Sequence, residues 1–80
     1  MLLKEFIYII AIAEEGSISR AAERLFMAQS SLSEFLKQYE GELGAKLYVR
    51  TSTGMRPTAS GRLLVEQGQQ LLSHYKRIQD

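Results

Sequence analysis

Residues 25–44 read LFMAQSSLSEFLKQYEGELG, and this stretch decides the fold. A helical rhythm of apolar residues runs into Leu25, breaks at Phe26-Met27-Ala28, and restarts behind Gln29-Ser30-Ser31. The restarted rhythm predicts a helix over 29–43 that buries Leu32, Phe35, Leu36, Tyr39 and Leu43, with Gly44 as its breaker. Upstream, Ser17 is a natural N-cap for a short helix over 18–25, striped by Ile18, Ala21, Ala22 and Leu25. Its two alanines allow another helix to approach closely. Further back, residues 2–15 carry a stripe at Leu3, Phe6, Ile7, Ile10 and Ala13, closed by Gly16. Tyr8, Ile9 and Ile12 fall off that stripe, Ile12 nearly opposite it. A helix apolar on more than one face is covered on more than one face, here by the core and by a second helix or subunit.

Downstream of Gly44 the pattern changes. Leu47-Tyr48-Val49 is β-prone, residues 51–54 form a turn cluster, and Met55-Arg56-Pro57 can return as a second strand, with Pro57 where no ladder donor is needed. Thr58 caps a last helix running from Ala59 to the chain end. Gly61, Leu64, Gly68, Leu71, Tyr75 and Ile78 follow the four-and-three spacing of a packing seam along it. Each mid-helix glycine costs about 1 kcal/mol against alanine, which implies close contact with something. At about 1.5 Å per residue this helix is roughly 30 Å long, too long for so small a domain to cover. Tyr8, Ile12, Leu64, Gly68, Leu71, Tyr75 and Ile78 are therefore the expected dimer interface. The fold class is mainly α: three helices and a two-stranded wing over residues 1–58, then a long linker or dimerisation helix over 59–80.

Eighty residues with no cysteine must hold together without disulfides or thiolate metal sites. A second chain is the remaining source of stability. No apolar run reaches the roughly 18 residues of a membrane span. The start, MLLKEFIYIIAIAEEG, has the apolar look of a secretory leader, but Lys4 is offset by Glu5 and no small-residue cleavage site follows. A cytoplasmic protein with no membrane partner is expected. The net charge is only +1, yet residues 46–65 hold Lys46, Arg50, Arg56 and Arg62 with no acid. Such a segment is a candidate anion-facing surface.

Two helices joined by a tight connection form a helix-turn-helix, whose second helix can enter the DNA major groove. On a helical wheel Ser30, Ser33, Glu34 and Lys37 lie opposite the buried set, with Gln29 and Ser31 at the helix entrance. Glutamine can bond adenine bidentately, serine can bond bases or phosphates, and a helix start offers free amides to a phosphate. The bland reading is that serines gather there because they cap helices well. The basic strand-turn-strand favours duplex DNA, because a wing places Arg50, Arg56 and Lys46 beside the backbone. Glu34 is open to two readings: it accepts a hydrogen bond from a cytosine amino group, or it pairs with Lys37 three residues on. His74, the single histidine, reads as a surface residue. No nucleophile–base pair, carboxylate pair or phosphate-cradling loop is present, so neither an enzyme nor a cofactor is expected. The competing class is a winged helix that binds protein through Phe35, Glu34 and their neighbours.

The segments AIAEEGSISRAAERLFMAQSSLS (11–33), YEGELGAKLYVRT (39–51) and RPTASG (56–61) together resemble the N-terminal domain of the LysR-type transcriptional regulators. The resemblance covers essentially the whole chain. It implies a winged helix-turn-helix with a linker helix that pairs antiparallel with its mate. It implies a homodimer on an inverted-repeat operator, with a tetramer open to the full-length protein. It also implies that the chain leads a longer one whose C-terminal domain senses a small molecule. By position, Gln29, Ser30, Ser33 and Glu34 match base- and backbone-contacting sites, and Arg50 and Arg56 match the wing. The chain departs from the family pattern at four places. Ala28 stands where a capping serine is common, Ser30 for proline, Glu34 for arginine and Phe35 for glutamine.

Overall fold

Gly16 and Gly44 stop their helices as expected: both adopt left-handed φ values, 66° and 73°, and donate their amides back to Ile12 and Glu40. In the computed structural model, which describes residues 2–79, they close α1 (Leu3–Glu15) and α3 (Gln29–Leu43). Met1 and Asp80, the outer limits of the two expected domains, lie outside the described residues. Between those helices sits α2 (Ile18–Arg24), capped by the Ser17 hydroxyl, which accepts from the Arg20 amide at 3.2 Å. β1 (Tyr48–Thr51) and β2 (Gly54–Pro57) follow as an antiparallel pair, then α4 (Ala59–Gln79).

The core gathers where α1, α2 and α3 meet the start of β1: Ile9, Ile12, Leu32 and Leu47 are its largest fully buried side chains. Ile18, Ala21 and Ala22 bury as the α2 stripe requires, with Leu25 packed against them. The α1 stripe is turned from the expected one. Ile9, Ile10, Ala11 and Ile12 are buried and Ile7 is 43% exposed, because α1 packs against α2 on one side and α4 on another. A helix sandwiched in this way buries a broad arc, which a single periodic stripe does not describe. On α3, Leu32, Leu36 and Tyr39 are buried, Phe35 is half-buried, and Leu43, expected inside, is 45% exposed at the last turn.

The wing is fixed by its register, Tyr48 opposite Pro57, Val49 opposite Arg56, Arg50 opposite Met55 and Thr51 opposite Gly54. Its turn side leans on the α1–α2 corner, where the Met55 amide donates to the Gly16 carbonyl at 2.9 Å. Gly54 has φ 141°, and a Cβ there would stand 2.2 Å from the Gly16 oxygen, so glycine is required. At the wing's root the buried Tyr48 hydroxyl donates to the Ile9 carbonyl. Burial, with a further push from the Glu40 charge, raises the Tyr48 phenol far above its ordinary pKa.

Thr58 caps α4 as expected: its hydroxyl accepts from the Gly61 amide at 3.1 Å and donates to the Lys46 carbonyl at 2.6 Å. The two helix glycines do answer to close contacts, but within the chain. A Cβ on Gly61 would stand 2.0 Å from the Leu47 carbonyl oxygen, and one on Gly68 would stand 2.7 Å from Phe6 Cδ1.

Candidate nucleic-acid interface

The α2–α3 connection is built from backbone chemistry. The amides of Leu25, Phe26 and Met27 turn back to the carbonyls of Ala21, Glu23 and Ala22, ending α2. Phe26 takes the left-handed position, φ 57°, with its ring 97% exposed. That is a place where glycine would be free of the roughly 1 kcal/mol cost that an L side chain carries. Ala28, the N-cap of α3, offers no side-chain acceptor, so the α3 entrance leaves its first amides without a hydroxyl partner.

The outward face of α3 emerges as the sequence implies. Gln29, Ser30, Ser31, Glu34 and Lys37 are exposed, and Ser33 is half-buried at the edge of that face. Among the described residues Glu34 and Lys37 are both exposed and form no ion pair with each other. Phe35, the anchor of the protein-binding alternative, is engaged inside the domain. Its ring meets Tyr8 edge-on at 5.1 Å and stacks on Tyr39 at 5.4 Å.

Between α3 and the wing lies a cleft of about 420 Å³, lined by Ser33, Lys37, Glu40, Lys46, Arg50 and Met55 among others. Arg50 and Arg56 do not act as a pair. Residues directly opposite in an antiparallel ribbon share a face, and successive residues alternate. Arg50, opposite Met55, is therefore on the face that carries Tyr48, whereas Arg56, opposite Val49, is on the other. Among the described residues the side-chain charges of Arg20, Lys37, Arg50 and Arg56 lie in no ion pair. Three of the acids are engaged with other cations. Glu14 and Glu15 hold Arg24 at 2.8 and 3.3 Å, raising its pKa further, and Glu40 stands 3.7 Å from the Lys46 ammonium. The result is an unpaired cationic margin around an uncharged helix entrance.

Sequence reasoning missed Arg20 and Glu40. Arg20 is an exposed, unpaired cation in the first turn of α2, overlooked because only the 46–65 segment stood out by charge. Glu40 is the one buried charged residue among those described. Its signal was available: it falls one turn after Leu36 on the buried side of α3, where a carboxylate needs a partner.

The expected dimer residues divide. Ile12 is fully buried in this chain's own core and has no surface for a second subunit, because the buried arc of α1 extends past the expected stripe to the face opposite it. Gly68 is buried against Phe6, Leu64 is half-buried against the core, and Tyr8 is half-buried against Phe35. Leu71, Tyr75 and Ile78 remain 43%, 43% and 73% exposed. Leu63, which the seam omitted, is 61% exposed. Gly68 and Leu64 therefore face inward because α4 lies on its own domain for its first half.

Residues 3–62 match the model of the bacterial regulatory helix-turn-helix proteins of the lysR family. The HTH-type transcriptional regulator XapR of Escherichia coli (strain K12) is 41% identical over 76 residues, 95% of this chain and 26% of its own length. The HTH-type transcriptional regulator TfdT of Cupriavidus pinatubonensis (strain JMP 134 / LMG 1197) is 34% identical over 77 residues, 96% of this chain and 34% of its own length. The chain thus spans a quarter to a third of these relatives. Among solved structures, the CbnR_DBD–DNA complex superposes with a TM-score of 0.89 at 31% identity, covering 100% of this chain and 92% of that one. The complex of BenM_DBD with catB site 1 DNA gives 0.91 at 33% identity, covering 98% and 88%.

Proposed function

This chain belongs to the lysR family of bacterial regulatory helix-turn-helix proteins, and from that membership we propose that it binds duplex DNA sequence-specifically as a dimeric, cytoplasmic transcription regulator. Residues 1–58 read the duplex and residues 59–80 join two subunits. A further domain of the whole protein, whose relatives are three to four times longer, takes a small-molecule effector and can extend the dimer to a tetramer. α3 enters the major groove, with Gln29, Ser30, Ser33 and Glu34 toward bases and adjoining backbone and Ser31 and Lys37 toward phosphates. Arg50 and Arg56 meet the backbone on either side of the wing.

The observation that carries this reading is the pairing of an exposed polar face on α3 with cations that no acid neutralises. A cation held in an ion pair has to give up its partner before it can meet a phosphate. Lys37, Arg50 and Arg56 have none to give up. Solved DNA complexes of similar chains, at TM-scores of 0.89 and 0.91, support the same reading.

Selection from a random duplex pool tests it. The expected product is an inverted repeat with half-sites about one helical turn (~10 base pairs) apart, or a multiple of that. Adding about half a turn between them should abolish tight binding by turning one half-site to the opposite face. Repeating the selection with Glu34→Ala should relax one position per half-site if the carboxylate accepts from cytosine. Recovery of no common sequence by the wild-type protein would sink the reading.

A further inference from the structure

Glu40 sits at the junction of the two parts that would touch the duplex. It belongs to α3, and its side chain crosses to the segment that becomes the wing. One carboxylate oxygen accepts from the Leu47 amide at 2.7 Å and the Tyr48 amide at 3.3 Å, and the other stands 3.7 Å from the Lys46 ammonium. Its backbone carbonyl accepts the amides of Gly44 and Ala45, which close α3. One residue thus ends the recognition helix and holds the next four residues against it.

The same short segment is gripped from its other side. Thr58 donates its amide to the Leu47 carbonyl at 2.9 Å and its hydroxyl to the Lys46 carbonyl at 2.6 Å. Gly61 lets α4 approach the Leu47 carbonyl so closely that no side chain fits between them. Leu47 and Tyr48 are 1% and 4% exposed, so water does not replace Glu40 as acceptor for their amides. Two residues further on is Arg50, on the same ribbon face as Tyr48 and lining the cleft beside Lys37.

We infer that Glu40 is a positioning residue for duplex recognition: by holding the Leu47 and Tyr48 amides it fixes Arg50 at one distance from the outward face of α3. This rests on the proposed DNA binding. A wing root that is free to shift would let Arg50 reach a phosphate only by giving up mobility in the complex, and its contribution would shrink. Glu40 touches no DNA in this account. Its carboxylate is engaged by the Leu47 and Tyr48 amides and stands beside the Lys46 ammonium, and its effect passes through the backbone of residues 47–50.

A double-mutant comparison on the full-length protein tests the inference, with a fluorescein-labelled random-sequence duplex as probe and anisotropy as readout. Glu40→Asp keeps the charge but falls one methylene short of the two amides. In the wild-type background, Arg50→Ala should weaken binding about fivefold and flatten the salt slope by about one unit. In the Glu40→Asp background the same change should cost under about twofold and leave the slope nearly unaltered. Glu40→Gln, which keeps an acceptor oxygen at full reach, should restore most of the Arg50 effect. Ile12→Val, which loosens the core away from the wing root, should leave it whole. Equal Arg50 losses in the wild-type and Glu40→Asp backgrounds would overturn the inference. Salt-independent binding by the wild type would overturn it together with the DNA reading. A further measurement needs no variant: hydrogen exchange at the Leu47 amide should be as slow as at Leu36 in the core of α3. Exchange there as fast as at Ser52 in the wing turn would contradict the clamp.

Discussion

The two halves of α4 have the same spacing of small and apolar residues and opposite surroundings. Up to Gly68 the helix lies on its own domain: Gly61 is against the Leu47 carbonyl, Gly68 is against Phe6, and Leu64 and Val65 pack on the core. Beyond it, Leu71, Tyr75 and Ile78 are largely open. A seven-residue rhythm identifies a helix with something to pack against, but not whether that something is the same chain. Glycine marks the intramolecular half, where backbones touch. In the other half the same seam positions hold Leu71, Tyr75 and Ile78, which stay exposed among the described residues.

Three substitutions sharpen that contrast. The largest effect is expected from Leu71→Glu in the open half. If this half pairs with a second copy, a twofold axis repeats the change, and dimer association should weaken by about 3 kcal/mol or more while the monomer's melting temperature stays nearly constant. Sedimentation velocity would read it, and an unchanged dimer would place the subunit contact elsewhere. Next comes Gly61→Ala in the packed half. The added Cβ would press on a carbonyl that already accepts the Thr58 amide, and backbone cannot step aside as a side chain can. Stability should fall by about 2–3 kcal/mol, measured by denaturant melting, with association affected only through the loss of folded chain. The smallest effect belongs to Gly68→Ala. Here the obstacle is the Phe6 ring, which is half-buried and can give, and alanine returns about 1 kcal/mol of helix propensity. The net change should stay within about 1 kcal/mol of zero. A loss as large as that of Gly61→Ala would mean that Phe6 is held as firmly as backbone.

How much was legible in the sequence follows the same division between local and long-range causes. Helix ends were legible because they rest on adjacent atoms: Ser17 and Thr58 cap, Gly16 and Gly44 stop, and the 29–43 span is reproduced to the residue. The strand pair was legible from β-prone residues around a turn cluster. The buried arc of α1 was not, because two neighbours cover it and its periodicity has no single face. Ile12 passed for an interface residue for that reason. The polar face of α3 was read correctly at Ser30, Glu34 and Lys37, since a wheel needs only the position of the core. That Arg50 and Arg56 occupy opposite faces of the wing depends on strand register, and short strands leave register to the turn. Glu40 needed knowledge of which amides would come near it.

The central claim is that the unpaired cations beside α3 meet DNA phosphates. The measurement that tests it most directly is the duplex binding constant of the wild-type protein over a range of salt concentrations. The prediction is a straight line of log affinity against log salt, falling by about 0.9 for each phosphate neutralised. Arg50→Ala and Arg56→Ala should each reduce that slope by about one unit, because each cation lies on its own face of the wing and neither is tied to an acid. Binding that ignores salt, or a slope that neither arginine changes, would contradict the account.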